Sequence, residues 1–269
     1  MGMNSLKVPL TQLIMKEVRR HQSSLPHLTP LPPTPFSPST TTNPLSTSRI
    51  SNSAFSSSHF SRIRASYFDC GDKCQVFNAV LYPRPELTSE DGGGLPILGI
   101  DLLKFGGGPG KVRYLLVVDF QPVESPPSLP LPPRVSRSLS SIRSSHPGST
   151  IPYCRMSAKF YDELSFFSEE MLFARFEGEE VEGEEIVQTA FKSVLEDYVD
   201  VYMDLVTNGN KPARCGVNGK EEAERVAGRQ DAYNAYNRER DPAKGLFSAH
   251  FGKEWAEDFV GEFLFPKET

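Results

Sequence analysis

Apolar positions in the first half of the chain come in short, nearly unbroken runs. "CQVFNAVLYP" (74–83), "LPILGIDLLKF" (95–105) and "KVRYLLVVDFQP" (111–122) are rich in Val, Ile, Leu, Phe and Tyr and are bounded by Pro and Gly, which predicts strands. The last two flank "GGGPG", and the spacing predicts a hairpin. A phosphate-cradling loop is the sharper alternative for those glycines, but it needs a following helix, and a β-branched strand follows instead. "RMSAKFYDELSFFSEEMLFARFE" (155–177) predicts two short strands around a turn. From residue 186 the period changes. Ile186, Ala190, Val194, Tyr198, Val201 and Leu205 recur at helical spacing and predict one long helix with a buried stripe. After "NGNKPARCGVNG" come a second helix, "KEEAERVAGRQDAYNAYNRER", and a third starting at "DPAKG". Strands first and helices last predict an α+β domain with helices on a mainly antiparallel sheet.

Two stretches show no such period. Residues 1–60 are rich in Ser, Thr and Pro, and they predict a disordered, transit-peptide-like tail. Up to Ser66 there are seven Lys and Arg and one acid, Glu17, a balance most like that of a plastid leader. A single domain is expected over 61–269, interrupted by a low-complexity insertion at 124–150. The whole chain carries −5, from 29 basic and 34 acidic residues; setting aside the seven bases and one acid of the tail leaves 22 against 33, or −11. So acidic a body is a poor partner for nucleic acid. No run reaches the roughly 18 apolar residues of a membrane span, so a soluble protein is expected. Cys70 and Cys74, read as one strand, would lie about 13 Å apart, too far for a disulfide. With no C-x-x-C pair and scattered histidines, no structural metal site is predicted.

Two polar residues sit where the strand pattern calls for apolar ones, and a third opens a helix. Asp101 interrupts "PILGIDLLKF"; a buried carboxylate there must find a partner or hold its proton. Pairing Phe105 with Lys111 would set Asp101 opposite Leu115 and on one face with Asp119, bringing two acids to one site. A paired structural acid is the plainer reading. Asn78 is either a satisfied core amide or a ligand contact. Asp241, followed by Pro, has the form of a helix cap, and capping is favoured over proton donation on the residues alone. The aromatic residues Phe166, Phe167, Phe173, Phe176, Tyr233 and Tyr236 read as core before cofactor pocket.

Taken in order, "GDKCQVFNAVLYP", "LPILGIDLLKFG", "LVVDFQP", "FYDELSFFSEEMLF" and "ERDPAKGLFSAHFGKEWAEDFVGEFLFP" resemble the ferredoxin-dependent bilin reductases, most of all those members that reduce biliverdin IXα to 15,16-dihydrobiliverdin. The resemblance covers roughly residues 60–123 and 155–266. It implies an α/β/α sandwich with the open-chain tetrapyrrole between the sheet and the C-terminal helices, and no bound metal or flavin. Electrons would come singly from reduced 2Fe-2S ferredoxin. Asp101 and Asp241 would be the catalytic proton donors, and Asn78, Asp119, Phe167 and Phe173 would line the substrate. The implied partners are ferredoxin, biliverdin IXα and a downstream bilin reductase; the implied location is a plastid. Formation of phycoerythrobilin or phytochromobilin, or pigment binding without catalysis, are the rival readings. Asn78 stands where phycocyanobilin-forming relatives have histidine, which disfavours that branch. Where relatives place a helix after the sheet, this chain has the Pro/Ser-rich 124–150. Ferredoxins of this kind are acidic, so docking on an acidic body needs a local basic patch, expected from Lys104, Lys111, Arg113, Lys244 and Lys253.

Overall fold

A computed structural model describes residues 28–37, 39–43, 47–89, 93–123, 131–146, 151, 166–208, 211–212 and 217–267. Its centre is an antiparallel sheet. Strands β1 (Thr29–Pro30) and β2 (Ser39–Thr42) both pair with β3 (Arg49–Ser56). Beyond it lie β4 (Phe60–Asp69) and β5 (Cys74–Pro83), while a short β6 (Leu87–Thr88) pairs apart. Then follow β7 (Ile97–Gly108), β8 (Lys111–Gln121) and β9 (Leu172–Glu179), giving the path β1-β3-β4-β5-β7-β8-β9. Helix α1 (Pro133–Ser145) follows β8. After β9 come α2 (Glu180–Ile186), a π-helical turn at Val187–Phe191 and α3 (Lys192–Asn208). Helix α4 (Val217–Arg240), α5 (Ala243–Phe251) and α6 (Lys253–Asp258), which continues into a π-helical turn at Phe259–Leu264, complete the chain.

Helices cover both faces of the sheet, which is why its strands read as continuous apolar runs and not as alternation. On one face Ile63, Phe77, Leu81, Ile100, Leu102, Leu116 and Phe120 pack against α1 and the helix from 180 to 208. On the other, Ile50, Phe68, Val76, Val80, Tyr82, Val117 and Phe173 pack against α4, α5 and the turns after them. Each fully buried large side chain contributes about 1.5–3 kcal/mol. The stripe on the long helix is Val187, Phe191, Val194, Leu195, Tyr198, Tyr202 and Val206, which sits about one residue later than the predicted one at its two ends. A π-helical turn holds an extra residue, and it re-phases the apolar face across Val187–Phe191.

Four expectations need correction. The tail is not wholly unpacked: Ile50, Asn52 and Ala54 point inward from β3 in strict alternation, a pattern masked in composition by the intervening serines. Phe36 is also buried, with its ring edge-on to Trp255 and Phe259 at 5.6 and 5.5 Å. Asn43 Nδ2 donates to the His250 carbonyl, and Ser48 Oγ lies 2.7 Å from His250 Nδ1. Within 124–150, Pro133–Ser145 is helical; Val135 and Leu139 are buried with Ile142 packed beside them, an i, i+4, i+7 set that serines conceal. The two cysteines do not lie along one strand. They close the β4–β5 turn, where the Cys70 N–H donates to the Cys74 carbonyl at 2.8 Å, and Gly71 (φ 60°) makes the reversal possible; both thiols are free and buried. Finally, β7 runs on into the glycines, so Phe105 pairs with Arg113 and Asp101 with Val117, two residues beyond the predicted register. Since the shift is even, Asp119, opposite Gly99, still belongs to the Asp101 face.

One close approach fixes the helix on the first face. A Cβ at Gly183 would stand 2.5 Å from Tyr114 Cε2 and 3.3 Å from Val112 Cγ2. The Tyr114 ring is not free to retreat, because its hydroxyl donates to Glu184 at 3.1 Å and it stacks on Phe176. Gly183→Ala is expected to destabilise the fold by about 1–3 kcal/mol through overpacking, less the smaller gain in helix propensity. Urea unfolding of the two proteins measures the difference.

Candidate active site

The polar residues that break the strand pattern converge on the face covered by α4–α6. Arg64 on β4, Asn78 on β5 and Asp101 on β7 form a hydrogen-bonded row across three adjacent strands. Arg64 Nη1 donates to Asn78 Oδ1, and Asn78 Nδ2 donates to Asp101 Oδ1. Register puts Asn78 directly opposite Asp101. Arg64 has no exposed surface, whereas Asn78 and Asp101 keep some. Asp101 is nevertheless enclosed by protein, so its carboxyl is raised above the usual range by burial, with the Asn78 hydrogen bond and the Arg64 charge pulling the other way.

Asp241 approaches the same row from the helical side, at the junction of α4 and α5. It does cap: Oδ1 accepts the Ala243 N–H at 2.7 Å. Even so, burial pushes its carboxyl up to about 6 against that hydrogen bond; Asp101 raises it further and Arg64 lowers it. Sheet acid and helix acid therefore feel each other and share one cation. A desolvated pair of this kind favours keeping one proton between them near neutral pH. Tyr233 on α4 and Tyr82 on β5 border the group. Both Tyr233 and Asp101 are perturbed by Arg64, Tyr233 is bonded to Gln121, and Tyr82 donates to Asn234 at 2.8 Å. The sheet leaves room for Gln121 because position 99 is glycine; a Cβ there would lie 2.5 Å from Gln121 Nε2.

Asp119 shares the Asp101 face, as expected, and also holds a turn. It is 1% exposed and accepts both the Ser168 N–H (3.1 Å) and the Ser168 hydroxyl (2.5 Å), so its carboxylate fastens the Phe166–Ser168 turn to the sheet. Phe167 and Phe173 are buried in the same apolar cluster as Val117, the neighbour of Asp101 across β8. The basic set divides. Lys111, Arg113 and Lys253 are exposed, and Lys244 is partly exposed and paired with Glu257 at 3.2 Å. Lys104 lies on the opposite sheet face, 3% exposed, bound to Glu180 and Glu184 at 3.1 and 2.5 Å; it ties α2 to the sheet and is removed from any docking patch.

Arg64 is the residue that sequence reasoning missed. It lies in "HFSRIRASYF", where Ser and Arg disguise a strand and an inward-facing charge. The alternation of Ile63, Ala65 and Tyr67 against Arg64, Ser66 and Phe68 was the available signal. Among the described residues no group of three His, Cys, Asp or Glu is arranged to hold a metal, and no helix is long and apolar enough to cross a membrane.

Comparison with known proteins bears on this arrangement. The sequence profile of the family described as "Ferredoxin-dependent bilin reductase" matches residues 17–266. A 15,16-dihydrobiliverdin:ferredoxin oxidoreductase of Nostoc punctiforme is 33% identical over 204 residues, covering 76% of this chain and 73% of that protein. The protein of the same name from Gloeobacter violaceus is 37% identical with the same coverage. The solved structure of phytochromobilin synthase from tomato in complex with biliverdin superimposes with a TM-score of 0.73 over 95% of this chain and 82% of that one, at 17% identity. That likeness establishes the fold, an antiparallel sheet flanked by helices.

Proposed function

The chain belongs to the ferredoxin-dependent bilin reductases, and on that footing we propose that it reduces biliverdin IXα to 15,16-dihydrobiliverdin. The reaction adds two electrons and two protons across one methine bridge. Reduced 2Fe-2S ferredoxin supplies the electrons one at a time, and Asp101 and Asp241 supply the protons. The observation that carries this reading is the meeting of these two acids, from opposite layers, around one buried cation. A bilin becomes more basic with each electron, so its donors must still be protonated near neutral pH, and burial provides that. Asn78, Phe167 and Phe173 line the substrate, and Lys111, Arg113, Lys244 and Lys253 receive the acidic ferredoxin. The acid-poor sequence ahead of Leu28 supports import into a plastid, and release of product to a second bilin reductase follows from its partly reduced state.

Anaerobic incubation with biliverdin IXα and reduced ferredoxin, followed by chromatography, is expected to give 15,16-dihydrobiliverdin at a rate that falls with ionic strength. Phycoerythrobilin or phytochromobilin as product would reassign the reduced bond. Bound but unchanged pigment would make the chain a bilin-binding protein.

A further inference from the structure

Arg64 is a full charge with no exposed surface, set in the middle of a largely apolar sheet. Only one of its nitrogens is engaged by a protein hydrogen bond: Nη1 reaches Asn78, while Nε and Nη2 are buried without a partner. The Phe265 ring lies under the guanidinium at 5.0 Å, held there by Arg238, whose Nε and Nη2 both donate to the Phe265 carbonyl. Such burial is costly unless the charge acts on something. What it touches is an amide with two chemically different ends. A guanidinium can only donate, so it accepts no partner except the carboxamide oxygen, and this leaves the NH₂ end of Asn78 facing Asp101.

We infer that Arg64 is a positioning residue for the reduction: it locks the Asn78 amide, and through it fixes which oxygen of Asp101 is tied to the sheet and which is left to face the pigment. The inference rests on the reaction proposed above. Oδ1 of Asp101 is occupied by Asn78, so the proton to be donated belongs on the other oxygen. The groups that face this row are Asp101 on β7, Asp241 at the end of α4, Tyr233 on α4, Tyr82 on β5, and Asp119 with Gln121 on β8. Asp101 and Asp241 together outweigh the one cation, which holds the ionised form of both down in energy. Without it, both acids keep their protons to higher pH, and Asn78 is free to turn its oxygen toward Asp101.

Arg64→Met, which keeps the length of the stem, and Arg64→Lys, which keeps the charge, test this. The protonated-carboxyl infrared band, assigned by its loss in Asp101→Asn, can be titrated in the protein without pigment or ferredoxin. Its midpoint is expected to move up by about one pH unit or more in Arg64→Met and to stay near the parent value in Arg64→Lys. Coincident midpoints for Arg64→Met and parent overturn the inference, whatever the turnover assay shows. A parent midpoint that responds as expected in a protein that reduces no bilin would instead overturn the assigned reaction. In turnover, Arg64→Lys is expected to lose about tenfold in kcat at unchanged KM, because a lysine is a single flexible donor where the site uses a planar fork. Should Arg64→Met not fold, this split decides: an Arg64→Lys protein with parental kcat removes Arg64 from the mechanism.

Discussion

Asp101→Asn is expected to bind biliverdin within a few-fold of the parent affinity, yet to reduce it at least about 10²-fold more slowly and to accumulate a one-electron radical. General acids of this kind contribute about 10²–10⁴ in rate. The substitution keeps the side chain's shape and its place opposite Asn78, so the pocket survives while the proton is gone. Asp241→Asn is expected to behave more mildly. Its turnover slows, but an asparagine still accepts the Ala243 N–H, so stability falls by about 1 kcal/mol at most. Anaerobic single-turnover spectra of both variants distinguish the roles. Full-rate product from Asp101→Asn would exclude it as the donor.

The second large effect is on folding. Burial holds the Asp119 carboxyl up to about 7 in spite of its bonds from Ser168 and the Phe120 backbone. In the unfolded chain it returns to an ordinary value near 4. Between those limits the native state binds the proton and the unfolded state does not, so unfolding releases it and stability declines as pH rises. Its contribution is full below about pH 4 and is lost on passing through about 7. Asp241, pushed up to about 6, acts in the same direction. The chain without pigment should therefore lose stability from pH 4 to 7 more steeply than Asp119→Asn, by an amount of order 2–4 kcal/mol. Urea unfolding at a series of pH values gives both slopes directly. Parallel slopes would mean that Asp119 is ionised throughout.

What the sequence could and could not disclose follows from the two-sided burial of the sheet. Strands β5, β7 and β8 stand out because both of their faces are apolar, and against that background Asn78 and Asp101 are conspicuous. The same property hid the pairing register: a shift by two residues moves Asp101 from Leu115 to Val117 without changing its face, so the pattern could not discriminate between them. Strand β3 and helix α1 were obscured for the opposite reason. Serine supplies little pattern, and few apolar side chains anchor either element. Asp241 was legible as a cap and is one; its second duty depends on the enclosure provided by β4 and β7, more than 130 residues away in the chain, which no local reading contains. Lys104 was misjudged, and the tie from Asp119 to Ser168 went unseen, because a charge on a strand looks alike whether it faces a pocket, a helix or a turn.

Two distant segments of the chain meet late. Phe36 wedged against Trp255 and Phe259, and the ties from Asn43 and Ser48 to His250, span more than 200 residues. During synthesis none of these contacts can form until residues 250–259 have left the ribosome, so β1 and β2, though paired with β3, lack their helical cover while the middle of the sheet is already assembling. Loops of that size close slowly, and an exposed strand edge in the interim invites association with other nascent chains. The central strands thus precede their clasp, which closes only once the helices after residue 240 are in place.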